Sequence, residues 1–270
     1  MSVFKQVIMK KAANIVLVFF VAIALTGFIT PAKSKKMALY VERQQYGLQY
    51  SLGINPNEDF NIGITIDVPV GGNPALVDSV TCLLNQTLYS FFDDGIDRRF
   101  RPEEVYHNDA KTLVDHYREA YKAYICDTCS MYEEPFCVSD FHYLKVTLVE
   151  QTKSFVTYEV SGYFIGEGDC EYLSWVTFHT NDGHRLPEVI RNDQVVDLLK
   201  CTAGTDYNVM DDVEYRLSIG GEVAWRCSFG LTTDSLRCQY MYAPGIVETF
   251  SLDMKTARPY LTKEAKRLLK

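Results

Sequence analysis

The chain has 270 residues, with 27 lysines and arginines against 35 aspartates and glutamates, for a formal net charge of −8. That acidic balance argues against a nucleic-acid partner, whose phosphates demand a basic face, and is compatible with a cationic one. With 47% hydrophobic residues, a chain of this length buries one large core or two small ones.

The N-terminus reads as an export signal. Lys5, Lys10 and Lys11 precede an apolar run from Ile15 to Ile29, and Thr30-Pro31-Ala32 follows with small residues. A basic start, an apolar centre and a small-residue exit describe a secretory signal peptide. The run is short for a membrane span, which needs about 20 apolar residues. The expectation is a cleaved signal over residues 1–32 and a periplasmic or extracellular protein. The alternative is an uncleaved anchor at residues 15–29, the only route to a membrane. The first cysteine is Cys82, too far on to carry a lipid at the exit.

Beyond the signal, "MALYVERQQYGLQYSLGI" predicts one or two short strands. In "NIGITIDVPV", Ile62, Ile64, Ile66, Val68 and Val70 alternate with other residues, the period of a half-buried strand. A helix starts after it, with Asn73 as its cap and Pro74 at its first position. Leu76, Val80, Leu83, Leu84, Leu88 and Phe91 fall on one stripe, so the helix lies on a sheet. Residues 93 to 107 read as a loop. A second amphipathic helix follows, with Leu113, Tyr117, Tyr121 and Tyr124 as its inner face.

Strands then dominate. "HYLKVTLVE" and "SFVTYEVSGYFI" are separated at a hairpin-like spacing, and "EYLSWVTFHT" is closed by Asn181-Asp182-Gly183. A helix of about ten residues is expected from Asn192. "GEVAWRCSFG" and "LRCQYMYA" read as paired strands, "GIVETFSL" as another, and "TKEAKRLLK" as a terminal helix. The fold class is α+β, with antiparallel sheets, helices on one face, and two intimately joined subdomains. The joint is expected at Gly166-Glu167-Gly168, dividing residues 33–165 from 166–270.

All eight cysteines follow the signal, and in an oxidising compartment an even number reads first as disulfides. Cys126, Cys129 and Cys137 in "CDTCSMYEEPFC" are candidates, ahead of a zinc reading. Cys227 and Cys238 are the sharpest pair. If Thr232 and Thr233 form a two-residue turn, the two cysteines lie directly opposite one another.

No catalytic constellation emerges. "VGGN" and "GEGD" lack phosphate-loop spacing, and no serine sits in a nucleophile elbow. His179, Asp182 and His184 are close enough in sequence to suggest a metal, yet they span a strand end and a turn, so their directions are not fixed. They are expected to form an exposed turn without metal. Asp115 and His116 point about 100° apart on a helix and do not orient each other. The acidic pairs in "FFDDG" and "RPEE" read as solvent-facing loops. No cofactor, metal or catalytic residue is assigned.

The ordered pieces resemble the RsiV-like extracellular family. "IDVPVGGNPALVDSVTCLLNQTL" is similar to its opening strand, glycine turn and long helix. Residues 146–190 resemble its central hairpin and "DG..L" strand, and residues 228–269 its tyrosine-rich strand, Pro/Gly turn and ending. The resemblance runs from about residue 60 to the C-terminus. It implies an exported pair of modules of unknown function that occur in a lysozyme-binding anti-sigma factor and beside peptidoglycan deacetylase domains. It therefore implies a non-enzymatic binder of a protein or cell-wall ligand, such as lysozyme. The other reading is a hydrolase or deacetylase accessory. Where relatives carry Gly-Gly-Ala-His, this chain has Gly166 to Cys170, so no role of that histidine carries over.

Overall fold

A computed structural model describes residues 38–51, 59–93, 141–164, 170–202, 207–243 and 246–270. The signal segment, the second helix with its tyrosines, Asp115 and His116, the "FFDDG" turn beyond Asp93, the "RPEE" loop, and Cys126, Cys129 and Cys137 all lie outside those residues. So do Gly166, Glu167 and Gly168.

The first sheet has five strands in chain order: β1 (Leu39–Ser51), β2 (Asp59–Gly72), β3 (Phe141–Gln151), β4 (Phe155–Phe164) and β5 (Cys170–His179). All neighbours are antiparallel except β2 and β3, which run parallel. A parallel pair requires a crossover connection, and helix α1 (Pro74–Asp93) opens it. Ile64, Ile66, Val68, Leu144, Val146, Tyr158, Val160 and Val176 face α1, which answers with Leu76, Val80, Leu84 and Leu88. The alternation ends before Val70, which is 59% exposed.

Asn73 caps α1 and also ties it to the sheet. Its Oδ1 accepts from Ala75 N at 3.1 Å, while its Nδ2 donates to the carbonyls of Thr180 and Asn181 at 2.8 and 2.6 Å. Among the described residues Asp67 is the one buried carboxylate, on the sheet face opposite Ile66 and Val68. It sits just past the last β2–β3 pair, Ile66 with Val146, and β3 shifts register between Leu148 and Glu150. There Asp67 Oδ2 accepts from Leu148 N at 2.8 Å, and Arg43 binds both carboxylate oxygens at 2.8 Å. The side chain thus takes over where the ladder stops, leaving no buried charge unpaired.

After β5 come a short helix α2 (Val195–Thr202), α3 (Tyr207–Ser218) and a three-stranded antiparallel sheet: β6 (Cys227–Leu231), β7 (Ser235–Ala243) and β8 (Ile246–Asp253). The one-turn α4 (Met254–Ala257) and the terminal α5 (Lys263–Leu268) follow. A second core gathers Val195, Leu198, Leu199, Val209, Val213, Leu231, Leu236, Tyr240, Leu261 and Ala265.

β6 lies on the first sheet. Thr157 donates to Leu231 O at 2.7 Å, and Trp175 N donates to Ser228 Oγ at 3.0 Å. Gly230 lies against the Trp175 ring so closely that a Cβ there would stand 2.6 Å from Cγ. The strands flanking residues 166–168 pair with one another over Phe155–His179 to Phe164–Cys170.

Two expectations about β6 are corrected. "GEVAWR" is not strand: Ala224–Arg226 form a 3-10 turn, and the strand starts at Cys227. The turn into β7 is longer than two residues. Thr232 closes it by donating its N–H to Ser235 O at 3.0 Å and accepting Ser235 N on Oγ1 at 2.9 Å. Leu231 then pairs with Leu236, Cys227 with Tyr240 and Cys238 with Phe229. Cys227 and Cys238 are diagonal neighbours, farther apart than directly opposed pairs, whose β-carbons stand about 4.5–5.5 Å apart where a disulfide needs about 3.5–4.5 Å. Both are free thiols, and burial pushes Cys227 up to about 12 and Cys238 well above its ordinary value.

Candidate functional site

The segment from His179 to Arg185 turns back on itself. Gly183 N donates to His179 O at 3.0 Å, His179 N to His184 O at 2.8 Å, and His184 N to Asp182 Oδ1 at 3.0 Å. Asp182 and His184 are exposed and His179 is half-buried. His179 Nε2 lies 3.0 Å from Glu264 Oε1 on α5, but its N–H is not aimed along that line. The two imidazoles stand edge to face with centroids 5.8 Å apart. Among the described residues no group of three His, Cys, Asp or Glu side chains is arranged to hold a metal. Between α1 and this turn runs an open groove of about 610 Å³, in which Cys82 and Gln86 face Phe178, Asp182, His184 and Arg185.

The second feature is a ledge of exposed apolar side chains between residues 215 and 225. Tyr215 is 61% exposed, Leu217 48%, Ile219 61% and Trp225 60%. α3 buries Val209 and Val213 in the second core, so Tyr215 falls off that stripe and points outward. The helix ends at Ser218, and Gly220 just beyond it has a φ of +70°, the left-handed conformation that closes helices. Gly221 N then donates to Arg216 O at 2.8 Å, and the chain returns inward at Val223, which is 4% exposed.

Trp225 is held outward rather than left loose. Arg226 lies over its ring, 4.5 Å from the centroid, and Arg226 Nη1 donates to Met241 O at 2.7 Å. The ring is thereby fixed to β7 through a cation–π contact. Beneath the ledge, Asp212 accepts from Arg216 Nε at 2.7 Å and from the Tyr240 hydroxyl at 2.6 Å. Burial alone would raise the Asp212 pKa, but the bonds from Arg216 and Tyr240 and the charges of Arg216 and Arg226 outweigh it, and the net shift is downward. Burial first, and the bond to Asp212 second, raise Tyr240. Both local arginines are thus engaged inward, while Asp211, Glu214 and Glu222 stay exposed. The segment from Asp211 to Trp225 thus exposes apolar and acidic side chains together.

The strand expected over "GEVAWRCSFG" puts Trp225 within a hairpin, and the sequence patterns single out none of Tyr215, Leu217 and Ile219. A usable signal was present: four large apolar residues among glycines and carboxylates, of which Leu217 alone keeps the four-residue spacing of the buried Val209 and Val213.

No protein-family model matches the chain, and no curated protein matches its sequence. Among solved structures, a crystal structure of a DUF3298 family member from Bacteroides fragilis NCTC 9343 covers 85% of this chain and 96% of its own, with a TM-score of 0.52 at 15% identity. A DUF3298 family protein from Pseudomonas aeruginosa PAO1 covers 84% and 96% respectively, with a TM-score of 0.48 at 13% identity. The first likeness shows a shared α+β fold with a domain of unknown function.

Proposed function

We propose that this chain is an exported, non-enzymatic envelope protein, akin to RsiV-like extracellular regions, that binds a basic protein ligand on the ledge from Tyr215 to Trp225. The observation that carries this is the ledge itself: aromatic and aliphatic side chains between 48% and 61% exposed on a chain with a net charge of −8. Contiguous exposed apolar patches rimmed by polar residues mark interaction sites. Tryptophan and tyrosine are the side chains that most often dominate such interfaces. A tryptophan already fixed by Arg226 loses little freedom on binding, which favours affinity. The exposed Asp211, Glu214 and Glu222 select a cationic partner and speed its approach, and lysozyme is the defined candidate.

The test is capture from an envelope extract on immobilised protein, with lysozyme added as a reference. A basic protein retained by the native chain and released as salt rises is the expected result. Retention of nothing, or of acidic proteins only, contradicts the proposal.

A second reading, an accessory to a wall-acting hydrolase or deacetylase, rests on the groove where Cys82 meets Asp182, His184 and Arg185. It requires His184→Ala to abolish an activity on cell-wall fragments that the native chain displays.

A further inference from the structure

The groove between α1 and the turn after β5 has walls that are tied together. Asn73 of the helix cap holds the carbonyls of Thr180 and Asn181, and Gly183 packs directly on the Ala75 carbonyl. The space, about 610 Å³, is of the size that holds a small molecule, and Leu83, Val176 and Phe178 form its apolar floor.

Strand pairing aims Arg185 into this space. His179 N donates to His184 O and Leu186 N to Thr177 O, both at 2.8 Å, so Phe178 and Arg185 are directly opposed across an antiparallel bridge. Directly opposed side chains leave the same face of a sheet. Phe178 packs in the core under α1, so Arg185 projects on the α1 side, across from Cys82 and Gln86. The neighbouring His179 and His184 take the other face, where their rings meet edge to face. Arg185 is exposed, and among the described residues no carboxylate pairs with it. Asp182 lines the same groove, with Oδ1 accepting from His184 N at 3.0 Å. Its Oδ2 has no partner among the described residues. The turn thus presents opposite charges to one groove without letting them neutralise each other.

We infer that this groove binds a free α-amino acid with an apolar side chain. Arg185 receives the carboxylate through its planar fork of donors, and Asp182 receives the ammonium, each by a charge-assisted bond. The side chain leaves water over Leu83, Val176 and Phe178. Gln86, exposed on α1, adds an amide donor for the carboxylate. A simple carboxylic acid fits less well, because Asp182 repels it, and a simple amine is repelled by Arg185. A peptide end offers only one of the two charges. The inference stands on residues apart from the protein-binding ledge, does not depend on it, and requires no activity at the groove.

The experiment is calorimetric titration of leucine into the intact chain, with the rate of Cys82 alkylation by iodoacetamide followed at the same concentrations. Cys82 lies in the groove, and Cys201, also exposed, is the internal reference. Saturable binding is expected, with Cys82 protected over the same range and Cys201 labelled as before. Arg185→Gln and Asp182→Asn should each weaken binding at least about tenfold, the loss of one good contact. Both should leave the thermal midpoint unchanged, since an amide at position 182 keeps the acceptor for His184 N. Leucinamide and N-acetylleucine, which stand for the two ends of a peptide, should bind at least about tenfold more weakly than leucine. Absence of saturable binding at millimolar leucine overturns the inference. So does binding that leaves Cys82 unprotected, that ignores either substitution, or that leucinamide or N-acetylleucine matches.

Discussion

At the scale of single residues, glycines give the cleanest contrast. Gly183 and Gly220 share a left-handed backbone, with φ of +68° and +70°. A Cβ at Gly183 would collide with the Ala75 carbonyl of α1, whereas at Gly220 it would meet nothing within 4 Å. Gly220→Ala is expected to cost about 1 kcal/mol, the backbone term alone. Gly183→Ala should cost about 2 kcal/mol or more, because the turn must also leave α1; denaturant unfolding compares the two. Asp212 gives a pH dependence with a definite sign. Its folded pKa lies below the ordinary 3.8, so its stabilisation is present above that value and is lost as pH falls through the folded one. Asp212→Asn should destabilise by about 1–3 kcal/mol at neutral pH. The gap from the native protein should narrow below pH 3.8, as unfolding curves across pH will show. The cysteines separate by reactivity: Cys82 and Cys201 are exposed, Cys227 and Cys238 are not. In the native state an alkylating reagent should label the first two and spare the second two, which should react only after unfolding. Peptide mapping that finds Cys227 joined to Cys238 contradicts the β6–β7 register.

At the scale of elements, the two hairpins share one turn device. Thr152 closes the β3–β4 turn and Thr232 the β6–β7 turn, each hydroxyl accepting a backbone N–H three residues on. The two turns are joined, since Glu150 accepts from Thr233 N at 2.9 Å and from its hydroxyl at 2.7 Å. Thr232→Val keeps the shape but leaves Ser235 N without its hydroxyl acceptor, so a loss of about 1–2 kcal/mol is expected in denaturant unfolding. Most elements were legible because their periods were clean: isoleucines two apart in β2, leucines three and four apart in α1. The Asn73-Pro74 start was legible because capping is a local interaction. The β6–β7 register was not, because a threonine-headed four-residue turn leaves no glycine signature. α3 was missed because "YNVMDDVEYRLS" mixes its apolar residues with four charges and a serine, and among the described residues Val209 and Val213 are the ones it buries fully, with Met210 packed beside them.

At the scale of the whole molecule, the class α+β followed from the order of the elements, but the stacking of the second sheet on β4 and β5 did not. That contact rests on Thr157, Ser228 and the bare face of Gly230, residues that carry no pattern in sequence. The candidate site was illegible for a related reason. Periodicity reports what is buried, whereas the ledge consists of apolar side chains that the fold declines to bury. The histidine motif drew attention because its residues are chemically rich, yet its backbone bonds and Gly183 against α1 give it a structural task. The central claim, that the ledge from Tyr215 to Trp225 is a docking surface for a basic protein, is tested most directly by one paired measurement. Thermal midpoint and affinity for lysozyme, or for the basic protein captured from the envelope, are measured on native protein, Ile219→Asp and Trp225→Ala. Both side chains are about 60% exposed, and surface changes of this kind stay within about 0.5 kcal/mol of neutral, so the midpoints should hardly move. Affinity should fall by about tenfold to a hundredfold, as for the loss of a central interface side chain. Variants that fold as the native chain does and bind the partner as tightly would contradict the account.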